Sequence, residues 1–98
     1  MKCETFFMPD AIKHFEDACA WYEKQSDGLR DAFCDELEKV INRIEANPEG
    51  FAIEHKSFRS LLVNRFPYLL IYLVRGDRIE IHAVFHTHRD LDAWKSRH

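Results

Sequence analysis

The run Tyr68-Leu69-Leu70-Ile71-Tyr72-Leu73-Val74 is the strongest constraint on the fold, because all seven of its residues are apolar or aromatic. It falls well short of the ~18 residues that a membrane-spanning helix requires, and its β-branched and aromatic content fits a strand buried on both faces. Such a strand needs neighbours. Arg75-Gly76-Asp77-Arg78 supplies a turn, after which Ile79, Ile81, Ala83 and Phe85 alternate with Glu80, His82, Val84 and His86. That pattern predicts a hairpin into a half-exposed strand. Upstream, Phe51–Glu54 and Phe58–Val63 are short β-prone pieces.

The first half of the chain has a different period. Residues 2–7 (KCETFF) read as a short strand that Pro9 cannot continue, and Met8-Pro9-Asp10 reads as a strand-to-helix joint. Ile12, Phe15, Cys19 and Tyr22 then recur at helical spacing. Gln25-Ser26-Asp27-Gly28 interrupts the stripe, which resumes at Leu29, Phe33, Leu37, Val40, Ile41 and Ile44 and ends at Asn47-Pro48. Two helices joined by so short a turn should pack antiparallel. The expected fold is therefore α+β, in the order β-α-α-β-β-β with room for one more strand. An antiparallel sheet would pack against a helical hairpin, and residues 1–98 would form one domain.

The inward positions predict a core of Phe15, Phe33, Leu37, Ile44, Leu70, Ile71, Ile81 and Phe85 between hairpin and sheet. Tyr68 and Tyr72 share one strand face and belong to the core as well. Trp21 and Tyr22 are adjacent on a helix, so they cannot point the same way, and one of them is available to a partner. The tail Leu91–His98 suits a helical turn or an extended arm equally.

Charge is divided between the halves. Residues 1–50 hold six Lys/Arg against twelve Asp/Glu, whereas residues 51–98 hold eight against five, together with five of the six histidines. The second half is thus the part suited to an anionic partner. Cys3, Cys19 and Cys34 are odd in number and form no CxxC or Cys/His cluster, so neither a disulfide framework nor a zinc site is expected and a reducing cytosol fits. No cofactor is indicated, and no membrane association is expected.

Four segments stand in a telling order: Ala20–Leu29 (AWYEKQSDGL), Asn47-Pro48-Glu49, Arg65–Tyr72 (RFPYLLIY) and Ala83–Asp90 (AVFHTHRD). Together they resemble the RelE/ParE toxins of type II toxin–antitoxin modules, and especially the ParE-like branch that includes plasmid stabilisation proteins. The resemblance covers nearly the whole chain. It implies a growth-inhibiting bacterial toxin bound by a cognate antitoxin whose flexible segment wraps across it, as a hetero-oligomer or alongside a homodimer. It also implies one of two actions: trapping of DNA gyrase on cleaved DNA, or ribosome-dependent cleavage of mRNA. Two features depart from the pattern. Asp90 and Leu91 stand where a proline would follow the last arginine, and the sequence pI of about 6.0 is low for the family.

Cleavage by 2′-OH attack requires proton-transfer groups and cations around the phosphate. Against the RelE-type pattern, Arg59 replaces one lysine, Leu61 stands near another, Leu69 takes the place of an arginine and Trp94 that of a late tyrosine. Leucine and tryptophan can neither carry a proton nor hold a phosphate. Other nucleases of the family use a glutamate with a late histidine, and on that reading the catalytic residues here would be His86, His88 and Arg89. The competing reading makes one histidine a strand cap and leaves the other solvated. Arg59, Arg65, Arg89 and Trp94 are the candidates for binding a partner. The HxH pair lacks a third ligand at suitable spacing, so no metal is expected. The balance favours gyrase inhibition by binding, with the ribosomal nuclease second and an inactive antitoxin-binding protein third.

Overall fold

A computed structural model describes residues 3–87 and 91–98, and it describes Leu91 by its backbone alone. The elements run β1 (Glu4–Phe7), α1 (Pro9–Gln25), α2 (Leu29–Ala46), β2 (Ile53–His55), β3 (Phe58–Leu62), β4 (Tyr68–Arg75), β5 (Arg78–His86) and α3 (Leu91–Arg97). Pro9 opens α1 with Met8 as its N-cap, because a helix's first residue has no use for the N–H that proline lacks. Gly28 closes the turn into α2 with φ 81, a left-handed conformation costly to a residue with a Cβ.

The five strands form one sheet in the order β1-β5-β4-β3-β2. Pairing is antiparallel except at one edge, where β1 runs parallel to β5 because the α1–α2 hairpin and three strands intervene between them. β4 lies at the centre, with its first six residues buried. That placement matches its uninterrupted apolar sequence.

Two apolar clusters share the sheet. The larger lies under the helical hairpin and contains Ala11, Ala18, Cys19, Tyr22, Phe33, Leu37, Val40, Ile44, Leu70, Tyr72, Ile79 and Ile81. Phe15 is half-buried against it, whereas Ile12 is 44% exposed and lies outside the buried stripe of α1. The smaller cluster, on the opposite face, joins Leu69, Ile71, Ala83, Phe85 and Trp94. Ile71 and Phe85, expected between hairpin and sheet, therefore belong to the other side.

Ile71 follows the inward Leu70 on β4, so strand alternation alone turns it outward, whereas Phe85 is displaced by a β-bulge. Ile71 pairs with Ala83 but Tyr72 pairs with Ile81, so His82 is an extra residue on β5. One extra residue inverts the in-and-out phase of the rest of a strand. Ile79 and Ile81 consequently face the helices, while Ala83 and Phe85 face away and Val84 takes the inward position.

The C-terminal tail is a helix, and its Trp94 covers the second face. The indole is 1% exposed, and its ring centroid lies 4.9 Å from Phe58, 6.0 Å from Phe85 and 4.6 Å from the stacked ring of His98. Lys95 pairs with Glu54 at 3.2 Å, and Lys56 donates to the His98 carbonyl, tying α3 to the β2–β3 hairpin. Among the described residues, no helix is long and apolar enough to cross a membrane.

Candidate functional site

α1 presents His14, Asp17, Ala18 and Trp21 at helical spacing along one side, and that side overhangs the end of the sheet where β4 begins and β5 stops. Tyr68 and His86 are register partners there. With Val84 and Phe85 they close a cavity of about 250 Å³ against the helix. The rings of Tyr68 and His86 meet edge to face at 5.5 Å, and the His14 ring lies 4.6 Å from Phe85.

His14 Nδ1 accepts the backbone N–H of Val84 at 3.3 Å. That bond needs a lone pair on Nδ1, so the neutral ring carries its proton on Nε2. Trp21 is 57% exposed at the rim, while its neighbour Tyr22 is buried. Of the two adjacent aromatics, Trp21 is therefore the one available to a partner. The cavity offers stacking surface together with imidazole, carboxylate and phenol groups able to donate and accept hydrogen bonds.

The other sequence candidates do not converge on this cavity. Arg59 donates from its guanidinium to the Phe51 carbonyl at 2.7 Å. It pairs with Tyr72, whereas His86 pairs with Tyr68 on the other side of β4. Four residues along a strand separate those positions by roughly 13 Å. Arg65, with φ 74, places its guanidinium over the Phe66 ring and 3.8 Å from Glu36. Trp94, expected at a binding surface, is buried beneath α3 and packs the second core. Arg89 and His88 lie outside the described residues.

A third region borders the hairpin. Phe7, Ile12, Phe15, Cys34, Leu37, Glu38 and Ile41 line an almost wholly apolar groove of about 380 Å³. Phe7 belongs to β1, the outer strand of the sheet, so the groove runs beside a sheet edge. Sequence reasoning missed it because Ile12 and Ile41 read as ordinary members of an inward stripe.

On the opposite face, Glu80 accepts hydrogen bonds from Arg75 Nε at 3.0 Å and from His82 Nε2 at 3.1 Å, with Arg78 3.7 Å away. The His82 hydrogen bond first, and the Arg75 hydrogen bond and charge after it, hold the Glu80 carboxyl below its usual 4.5. A carboxyl so lowered contributes stability that is complete above its unfolded pKa and lost as pH falls through the folded one. Glu80→Gln should therefore be less stable than the parent at neutral pH, with the difference shrinking below about pH 4. Thermal melts across that range check this, and a pH-independent difference would remove Glu80 from the acid response.

Among the described residues, no group of three or more His, Cys, Asp or Glu could hold a metal ion. A family model described as the ParE toxin of the type II toxin–antitoxin system parDE matches residues 6–91. No curated protein matches the chain. Among solved structures, the chain is similar to one described as the chromosomal ParDE TA system from P. aeruginosa. The TM-score is 0.70 at 16% identity, covering 87% of this chain and 96% of that one. It is also similar to the YoeB dimer from Staphylococcus aureus, with a TM-score of 0.59 at 19% identity, covering 85% and 94% of the two chains. At such identities the likeness to these structures is one of fold.

Proposed function

The chain belongs to the ParE toxin family of type II toxin–antitoxin systems, and from that premise we propose that it inhibits DNA gyrase by binding rather than by cleaving RNA. The observation that carries this reading is that Arg59, the cation standing in place of a RelE-type lysine, does not converge with His86. Arg59 is engaged by the Phe51 carbonyl, about 13 Å along the sheet from the level of His86. General acid–base chemistry on one phosphate needs both within hydrogen-bond reach of it. Leu69, which stands where a nuclease would carry a cation, is packed with Trp94 in the second core. The exposed Trp21 beside the His14 and His86 cavity is instead the kind of aromatic anchor that protein interfaces use.

On the same reading the antitoxin docks in the groove between α1 and α2. The groove is apolar, it borders the free side of β1, and it lies in the acidic half of the chain. Those features suit an amphipathic segment with an apolar face and basic flanks, with an extended stretch adding to the sheet edge.

Purified toxin incubated with gyrase and DNA should accumulate a covalent cleaved complex, and ribosomes programmed with mRNA should show no cleavage in the A site. Exchanging His86 and His88 together for glutamine alters the wall of the cavity beside Trp21 but should not abolish the gyrase effect, because that effect needs no proton transfer by an imidazole. A-site cleavage that falls by about 10²-fold on that double exchange would overturn the proposal in favour of a nuclease. Inactivity in both assays would leave antitoxin binding as the protein's remaining role.

A further inference from the structure

Cys19 on α1 and Cys34 on α2 face each other across the helical hairpin with their Sγ atoms 3.9 Å apart. Both are free thiols. The sequence separates them by fifteen residues, in no spacing that marks a pair, and only the antiparallel packing of α1 against α2 brings them together. A disulfide bond is about 2.0 Å long, so the sulfurs need to close by about 2 Å. The two thiols differ in access. Cys19 is buried in the core, whereas Cys34 is half-buried and lines the apolar groove beside Phe15, Leu37, Glu38 and Ile41.

We propose that Cys19 and Cys34 are an oxidation site, closing to an intramolecular disulfide that staples α1 to α2 when the protein meets a hydroperoxide. The more accessible partner, Cys34, reacts first. The Cys34 thiolate attacks the peroxide, an S–O bond forms as the O–O bond breaks, and the departing hydroxide leaves as water. The Cys19 thiol then attacks the sulfenic sulfur, the S–S bond forms as the S–O bond breaks, and a second water leaves. Two thiols and one hydrogen peroxide thus give one disulfide and two waters, the sulfurs losing the two electrons that the peroxide gains.

The surroundings set the rate. Burial, and after it the neighbouring Cys19, push the Cys34 thiol up to about 11, with the Arg30 guanidinium acting in the opposite direction and Asp31 reinforcing the rise. Arg30 also contacts Cys19, and Glu38 stands at the groove. Cys34 is therefore a poor thiolate at neutral pH, and closure accelerates about tenfold per pH unit on the alkaline side until its pKa is reached. Such a site responds to sustained oxidation rather than to a passing pulse. Closure also draws the Cys34 sulfur from the wall of the groove toward the core, changing the surface presented there. The disulfide itself does not depend on what occupies the groove.

The full chain, treated with hydrogen peroxide at pH 7, 8 and 9 and then alkylated, tests the proposal by peptide mapping. The expected product is monomeric, lighter by two hydrogens, and contains a Cys19–Cys34 peptide pair with Cys3 alkylated. Its formation should quicken about tenfold per pH unit. Its melting temperature should rise by about 5 °C or more, because the staple restricts the unfolded chain, and should return to the starting value on reduction. Cys3→Ser should behave like the parent, and Cys34→Ser should give neither the mass loss nor the rise. A dimer linked through Cys3, or Cys34 recovered as sulfinic acid with Cys19 still reduced, would overturn the proposal.

Discussion

Phe33→Ala should cost about 3–5 kcal/mol of stability, a large share of the ~5–15 kcal/mol that holds a domain folded. Phe33 is fully buried on α2. Its ring lies 5.2 Å from Tyr68, 5.3 Å from both Tyr22 and Phe66, and 6.3 Å from Phe15. Those neighbours come from α1, from β4 and from the turn before it, so truncation of this α2 residue opens a cavity at the junction of the fold. Edge-on aromatic contacts add about 0.5–1.5 kcal/mol each beyond the buried area, which puts the cost toward the upper end. In a domain of this size the melting temperature should fall by at least about 12 °C. A variant melting within about 3 °C of the parent would mean that Phe33 does not hold this junction.

The reading of α2 succeeded because helical periodicity is redundant. Phe33, Leu37, Val40 and Ile44 all recur on one stripe and all are buried. The reading of β5 failed at its second half for the opposite reason. A strand's phase depends on an unbroken count of two, and His82 adds one residue to β5 without any glycine or proline to announce it. Alternation placed Phe85 on the same side as Ile81, and the bulge separates them. α3 was undecided because its helix is short, and its anchor Trp94 finds its partners, Leu69, Ile71, Ala83, Phe85 and Phe58, across the sheet rather than in its own segment.

The candidate site was legible in part. His86 stood out by its position at a strand end, and the pair Trp21-Tyr22 announced that one aromatic faces outward. His14 and Asp17 did not stand out, because a lone histidine and an aspartate on a charged helix carry no signal until Tyr68 and His86 are folded against them. The basic candidates stand apart from this cavity for a physical reason. Arg59 and Arg65 are cations by sequence, but a backbone carbonyl engages one, and a buried glutamate with an aromatic ring engages the other.

Replacing Ile12 with glutamate should separate neutralisation from poisoning. Ile12 is 44% exposed, so the exchange leaves the core intact and the fold near its original stability. It nevertheless sets a charge in the groove that Phe7, Phe15, Leu37 and Ile41 line, beside Glu38. If an antitoxin segment seats its apolar face there, that charge is buried unpaired against it, a loss on the scale of an interface hot spot. Affinity should drop by about 30-fold or more, which calorimetry with the purified antitoxin would measure. The cavity formed by His14, Trp21 and His86 is lined by none of the groove residues, so under the proposed gyrase reading the variant should match the parent in the gyrase assay. In cells the two effects combine. Co-expressed antitoxin should rescue growth from the parent toxin but not from Ile12→Glu. Unchanged affinity in a correctly folded variant would move the antitoxin away from the α1–α2 groove, whereas lost affinity together with lost gyrase inhibition would mean that one surface serves both partners.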